Sequence, residues 1–134
     1  MATCLFERFG DEIYDQKRAI AKSLWQAHSV STVRIPEIHV CDLTNAKTLS
    51  ALMVDLSALM HPELKTPQAW GLAIQRHPAN FQGIKFRSRY NHKVCLALFQ
   101  RDGIEKQIRE TALGALAIND AAADWLHNHK VSLY

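Results

Sequence analysis

Leu49, Leu52, Met53, Leu56, Leu59 and Met60 recur at intervals of three and four between residues 47 and 60. That spacing puts all six on one stripe of a helix but scatters them over both faces of a strand. The segment therefore reads as an amphipathic helix, with Pro62 as its stop. A one-sided helix needs a surface to pack on, and β-rich segments stand on either side of it. "SVSTVRI" (29–35) and "EIHVCDL" (37–43), separated by Pro36, read as extended. Thr66 followed by Pro67 starts a second helix carrying Trp70, Ala73 and Ile74, closed by Pro78. The stretch "GIKFRSRYNHKVCLALF" (83–99) reads as a pair of strands around a basic turn. Towards the ends, "ATCLFERF" (2–9) is a short apolar-rich segment stopping at Gly10. Residues 14–27 read as a helix with Ile20, Leu24 and Ala27 on one stripe. A last helix runs from Asn119 as cap to about His129. No repeat or linker divides the chain. The expectation is one domain over 1–134 of mixed α/β (α+β) class, a mixed sheet with flanking helices.

The totals narrow the function classes. A net charge of +3 over 134 residues favours anionic ligands but lacks the dense basic stripe of a nucleic-acid binder. Basic residues instead concentrate at 85–93, with Tyr90 nearby but no interleaved aromatic platform, so a small RNA-binding module is the weaker idea. The longest apolar run, Val94 to Phe99, is far short of the roughly 18 residues of a membrane span. No leader pattern opens the chain. Cys4, Cys41 and Cys95 are odd in number and lack metal-like spacing, so buried reduced thiols in a cytoplasmic protein are expected. His127 and His129 do not share a helix face, and no metal is expected.

Two places carry candidate chemistry. In an extended 83–89 segment Ile84, Phe86 and Ser88 share one face, while Lys85, Arg87 and Arg89 share the other. Ser88 is thus expected inside, where a hydroxyl needs a protein or ligand partner. Arg87 and Arg89, flanking it, suit bidentate phosphate contacts. A solvated hairpin turn is the other reading. Glu7, hemmed in by Leu5, Phe6 and Phe9, is either an outward residue of an amphipathic helix or a desolvated carboxylate beside a cationic reaction centre. No P-loop, dinucleotide fingerprint, nucleophile elbow or zinc-protease motif is present.

Four pieces in order resemble one family. "ATCLFERFGD" is similar to the glutamate-bearing segment of RES-domain proteins, and "IHVCDLT" (38–44) resembles their strand ending in Asp-Leu-Thr. "TPQAWGLAIQRHPANFQGIKFRSRYN" followed by "CLALF" resembles their C-terminal signature. The likeness covers about residues 2–100. It implies a fold similar to ADP-ribosyltransferases and a toxin of a toxin–antitoxin pair that consumes NAD as substrate. NAD would be cleaved at the nicotinamide–ribose bond, with hydrolysis or ADP-ribose transfer as the outcome. It further implies a cognate helix-turn-helix antitoxin as partner, with no membrane and no direct nucleic-acid contact.

The resemblance assigns the catalytic glutamate to Glu7 and the serine role to Ser88; it assigns no arginine, and Arg89 with Arg87 are expected to bind the NAD pyrophosphate through their own bidentate chemistry. The family's arginine and its partner tyrosine lie upstream of the glutamate, so the chain is expected to be N-terminally incomplete relative to the family. Glycohydrolase or transferase activity is then expected if that part is supplied. The alternative is a truncated, non-catalytic RES-fold module that binds a nucleotide or a protein partner.

Overall fold

The computed structural model describes residues 1–14, 18–61, 63–101 and 103–134. The chain is α+β. In order it forms helix α1 (Ala2–Tyr14), strand β1 (Ala19–Ile20), α2 (Lys22–Gln26), β2 (Ser29–Arg34) and β3 (Val40–Asp42). Then come α3 (Ala46–Ala51), α4 (Leu56–Leu59), α5 (Lys65–Gln75), β4 (Gly83–Arg87), β5 (Val94–Leu98) and α6 (Ile104–Gln107). The last stretch holds β6 (Arg109–Ala115), a 3-10 turn (Leu116–Ile118), α7 (Asp120–Asn128) and β7 (Ser132–Leu133). The chain divides into two compact units: residues 1–34 with 108–134, and residues 35–107. No helix among the described residues is long and apolar enough to cross a membrane.

The first unit is discontinuous in sequence and built on aromatic packing. α1 turns Leu5, Phe6, Phe9 and Ile13 inward, one helical stripe. Phe6 meets the edge of Trp125 with ring centroids 5.2 Å apart, Phe9 lies 5.4 Å from Trp25, and Trp25 stacks on Trp125 at 6.4 Å. Both tryptophans are buried. Burial of each such side chain stabilises by about 1.5–3 kcal/mol, and each aromatic pair adds about 0.5–1.5. α7 begins where expected: the Asn119 side chain accepts from the Ala122 N–H at 3.1 Å. It ends in a left-handed residue, Lys130 (φ 53°). There Val131 N–H reaches Leu126 O and Lys130 N–H reaches His127 O, the Schellman closure. His129 stacks on Trp125 at 5.2 Å and hydrogen-bonds Trp125 O through Nδ1, so it belongs to this core.

Two expectations fail here. α1 does not stop at Gly10, which is buried mid-helix; it runs on to Tyr14. Nor do residues 14–27 form one helix: residues 15–17 lie outside the described ones, and Arg18 has φ 42°. Ala19 and Ile20 pair in parallel with Ser132 and Leu133. That long-range pairing buries Ile20 completely and overrides the local helical preference. β2 and β6 form an antiparallel ribbon with a bulge: Val30 faces Gly114 and Ser31 faces Ala112, leaving Leu113 as the extra residue. Gly114 (φ 99°) supplies the backbone angle that the bulge needs. Every residue of β6 is exposed, so β6 shows no inside–outside pattern.

The second unit is a three-stranded sheet, β3-β4-β5, carrying its crossover helices. β3 pairs with β4 in parallel, so the residues between them must form a crossover, and α3, α4 and α5 fill it. Gly83 opens β4 at the closest point of the sheet: a Cβ there would stand 2.5 Å from Ala97 O. The core is Cys41, Leu43, Ile74 and Ile84, with half-buried Leu49, Leu59, Phe86 and Phe99 against it. The helix expected over 47–60 is two helices. Met53 takes φ 50°, while Val54 N–H bonds Leu49 O and Met53 N–H bonds Ser50 O, a second Schellman closure. Asp55 then accepts from both the N–H and the hydroxyl of Ser57, starting α4. The expected stop at Pro62 lies outside the described residues. α5 begins at Lys65 without a side-chain cap, so Thr66 sits in its first turn. Of the three thiols only Cys41 is buried; Cys4 is exposed and Cys95 half-buried, because Cys4 lies on the outer side of α1.

Candidate functional site

The β4–β5 turn brings three of the four predicted site residues together. Ser88 is fully buried, as the strand alternation predicts, and Arg87 is exposed. Ser88 N–H donates to Lys93 O at 2.8 Å and His92 N–H to Ser88 O at 2.9 Å, closing the hairpin. His92 adopts φ 57° to make the turn, and Asn91 Oδ1 accepts from Lys93 N–H. The Ser88 hydroxyl accepts from Tyr90 N–H at 3.2 Å and keeps its own proton for a second bond. Arg87 Nη1 donates to His92 O at 3.1 Å. The Arg89 guanidinium lies 4.7 Å over the Tyr90 ring and donates to the Tyr90 hydroxyl. Polar side chains thus close the turn itself, and they leave a buried hydroxyl at a position flanked in sequence by two arginines.

Beside this turn, within the same unit, lies a cavity of about 530 Å³. β3 leads into it through Leu43 and Thr44. α5 contributes Trp70 and Gly71, the sheet contributes Ile84 and Phe86, and Arg87 and His92 stand at the turn side. A Cβ built on Gly71 would meet no atom within 4 Å. Just below, Asp42 faces Lys85 across the parallel register, Oδ2 to Nζ 2.9 Å. It also accepts from the Thr44 N–H and hydroxyl. Burial pushes the Asp42 carboxyl upward, but the bonds from Thr44 and Lys85 outweigh it and hold the group below the ordinary carboxylate range. Burial, then the neighbouring Asp42 charge, raises the Cys41 thiol, so it stays protonated and unreactive. The cavity was not legible in the sequence. Gly71 inside an apolar helix was its one signal.

Glu7 belongs to the first unit. It is exposed on α1, because Leu5, Phe6 and Phe9, its neighbours along the chain, turn to the opposite side of the helix. The outward reading of this residue is the one the structure bears out. Arg8, next to it, is tied into the first unit: its Nε donates to His28 Nε2 at 2.8 Å. Its guanidinium also lies 5.0 Å over Phe9 and 3.6 Å from Glu12. His28 Nδ1 bonds Leu24 O, so the Nδ1–H tautomer, assigned from this network, leaves Nε2 to accept from Arg8. Among the described residues no group of three or more His, Cys, Asp or Glu side chains converges as a metal site would.

No curated protein and no solved structure matches the chain. The model of one family, described as the RES domain, matches residues 1–119. That span takes in α1 with Glu7, the strand ending in Asp42-Leu43-Thr44, and the whole β4–β5 turn with Ser88. The chain belongs to the RES domain family.

Proposed function

We propose that this chain acts as the toxin of a toxin–antitoxin pair, breaking the nicotinamide–ribose bond of NAD and passing the ADP-ribosyl group to water or another acceptor. The observation that carries the reading is the fully buried Ser88, with Arg87 and Arg89 on either side of it along the chain, in a RES-family protein. Cleavage of that bond builds positive charge on the ribose carbon, as glycosidic cleavage does. The Glu7 carboxylate stabilises this charge, an interaction strongest in the transition state. Ser88 donates its free proton to the nicotinamide ribose. Arg89, with Arg87, neutralises the pyrophosphate through charge-assisted hydrogen bonds. The fold would resemble ADP-ribosyltransferases, the setting would be the cytoplasm, and a helix-turn-helix antitoxin would hold the activity in check.

A second reading, a module that binds a nucleotide or protein without turnover, is favoured by one observation: Glu7 is exposed to water, where its electrostatic effect is screened. Nicotinamide release and NAD binding by the purified chain separate the two. The first reading expects Glu7→Gln to cut turnover by ~100-fold or more with little change in NAD affinity, and Arg89→Ala to weaken affinity by ~10-fold. NAD binding without nicotinamide release supports the second reading. Neither binding nor release would remove the first reading and the nucleotide-binding form of the second.

A further inference from the structure

Well-packed interiors leave few voids larger than a water molecule. The second unit leaves about 530 Å³ between its helices and its sheet, a volume within the range of small-molecule sites. Its walls are chiefly apolar, and three aromatic side chains among them, Trp70, Phe86 and Phe99, remain only half-buried. Gly71 adds an independent sign. It sits inside α5, where glycine is less favourable than alanine by about 1 kcal/mol, yet no protein atom crowds the place its side chain would take. A helix that gives up propensity for empty space is shaped to let something approach its backbone.

The polar groups of the cavity define the rest of the ligand. Thr44, Gln68, Arg87 and His92 are the polar residues on its wall. The Thr44 hydroxyl already donates to Asp42, and Asp42 is paired with Lys85, so the nearby carboxylate is neutralised. Arg87 spends one N–H on His92 O, which fixes it at the edge with donors to spare. A dinucleotide, with two riboses and a pyrophosphate, carries far more hydrogen-bonding groups than these residues can satisfy. We infer that this cavity is a binding site for a compact, largely apolar molecule bearing one anionic group at the Arg87 side, and that NAD does not occupy it. The inference stands whether or not the chain cleaves NAD.

Two fluorescent probes test it: anilinonaphthalenesulfonate, an aromatic monoanion, and phenylnaphthylamine, which lacks the sulfonate. Each should saturate one site per chain, the sulfonate more tightly. Excess NAD, which shares Arg87 in the reading above, should weaken the sulfonate no further than to the affinity of phenylnaphthylamine and should leave phenylnaphthylamine in place. Gly71→Phe should weaken both probes by at least ~10-fold while the thermal midpoint stays equal or rises. Gly71→Leu serves as the smaller filling variant should the phenylalanine disturb folding. Arg87→Gln should weaken the sulfonate alone, by ~5-fold. Unchanged probe binding in a folded Gly71 variant, many weak sites in place of one, equal effects of Arg87→Gln on both probes, or displacement of phenylnaphthylamine by NAD would each overturn the inference. An absence of NAD cleavage would leave every one of these readings unaffected.

Discussion

The two units of this chain answer the packing problem in opposite ways. In the first, Phe6, Phe9, Trp25 and Trp125 fill the interior ring against ring, with Trp25 and Trp125 at 2% and 3% exposure. In the second, the core of Cys41, Leu43, Ile74 and Ile84 stops short, and half-buried side chains border an open space. The same residue type, tryptophan, thus holds one unit together and lines a hollow in the other. The lesson is that apolar content alone does not tell stability from binding; what decides is whether the side chains meet each other or surround a gap.

The sharpest way to break this contrast is a matched pair of truncations. Trp25→Ala removes a filled core and should destabilise by about 3–5 kcal/mol, a large share of a domain's total. Trp70→Ala removes a wall that already borders empty space and should cost only about 1 kcal/mol, while loosening any ligand in the cavity. Urea midpoints of the two variants check the pair; equal losses would erase the distinction. A smaller effect probes a tightly built point of the second unit. Gly83→Ala would push a methyl to 2.5 Å from Ala97 O, and the β4–β5 pairing must shift at a cost of about 2 kcal/mol, read as a lowered thermal midpoint.

The smallest effect is electrostatic. Asp42 has its carboxyl depressed in the folded state by Thr44 and Lys85. Its contribution is therefore present above the unfolded value near ~4 and is lost as pH falls through the folded one. Asp42 and Lys85 are partly exposed, at 30% and 39%, so solvent screening keeps the pair below ~1 kcal/mol. Asp42→Asn should lower the urea midpoint at pH near 6, and the gap from wild type should close as acid is added. A gap that widens in acid would mean the carboxylate is not stabilised in the fold.

Local signals were the legible ones. Strand alternation placed Ser88 inside, Asn119 announced the start of α7, and the runs at 83 and 94 gave the β4–β5 pair. What failed depended on distant partners. Ala19–Ile20 is a strand because Ser132 and Leu133 lie beside it, and nothing near residue 19 says so. β6 shows no burial pattern because both of its faces are exposed. The break in 47–60 puts methionine, not glycine, in the left-handed position, so no sequence sign marks it. The cavity is a property of missing volume, which apolar periodicity cannot report. Glu7 lies outside the core formed by Leu5, Phe6 and Phe9 because neighbours along the chain are not neighbours in space once the segment is helical.

The discontinuity of the first unit has a consequence for the order of events at the ribosome. Phe6, Phe9 and Trp25 emerge early, but Trp125, which closes their cluster, and β6, the partner of β2, arrive only after residues 35–107 have been made. At synthesis rates of ~5–20 residues per second that wait lasts several seconds. During it the second unit has all of its strands and crossover helices in hand and can complete itself, while an amphipathic α1 waits with a naked aromatic stripe. Nascent chains of this protein would therefore keep their stickiest surface open until α7 and β6 arrive, and that stripe is what a holding chaperone would cover.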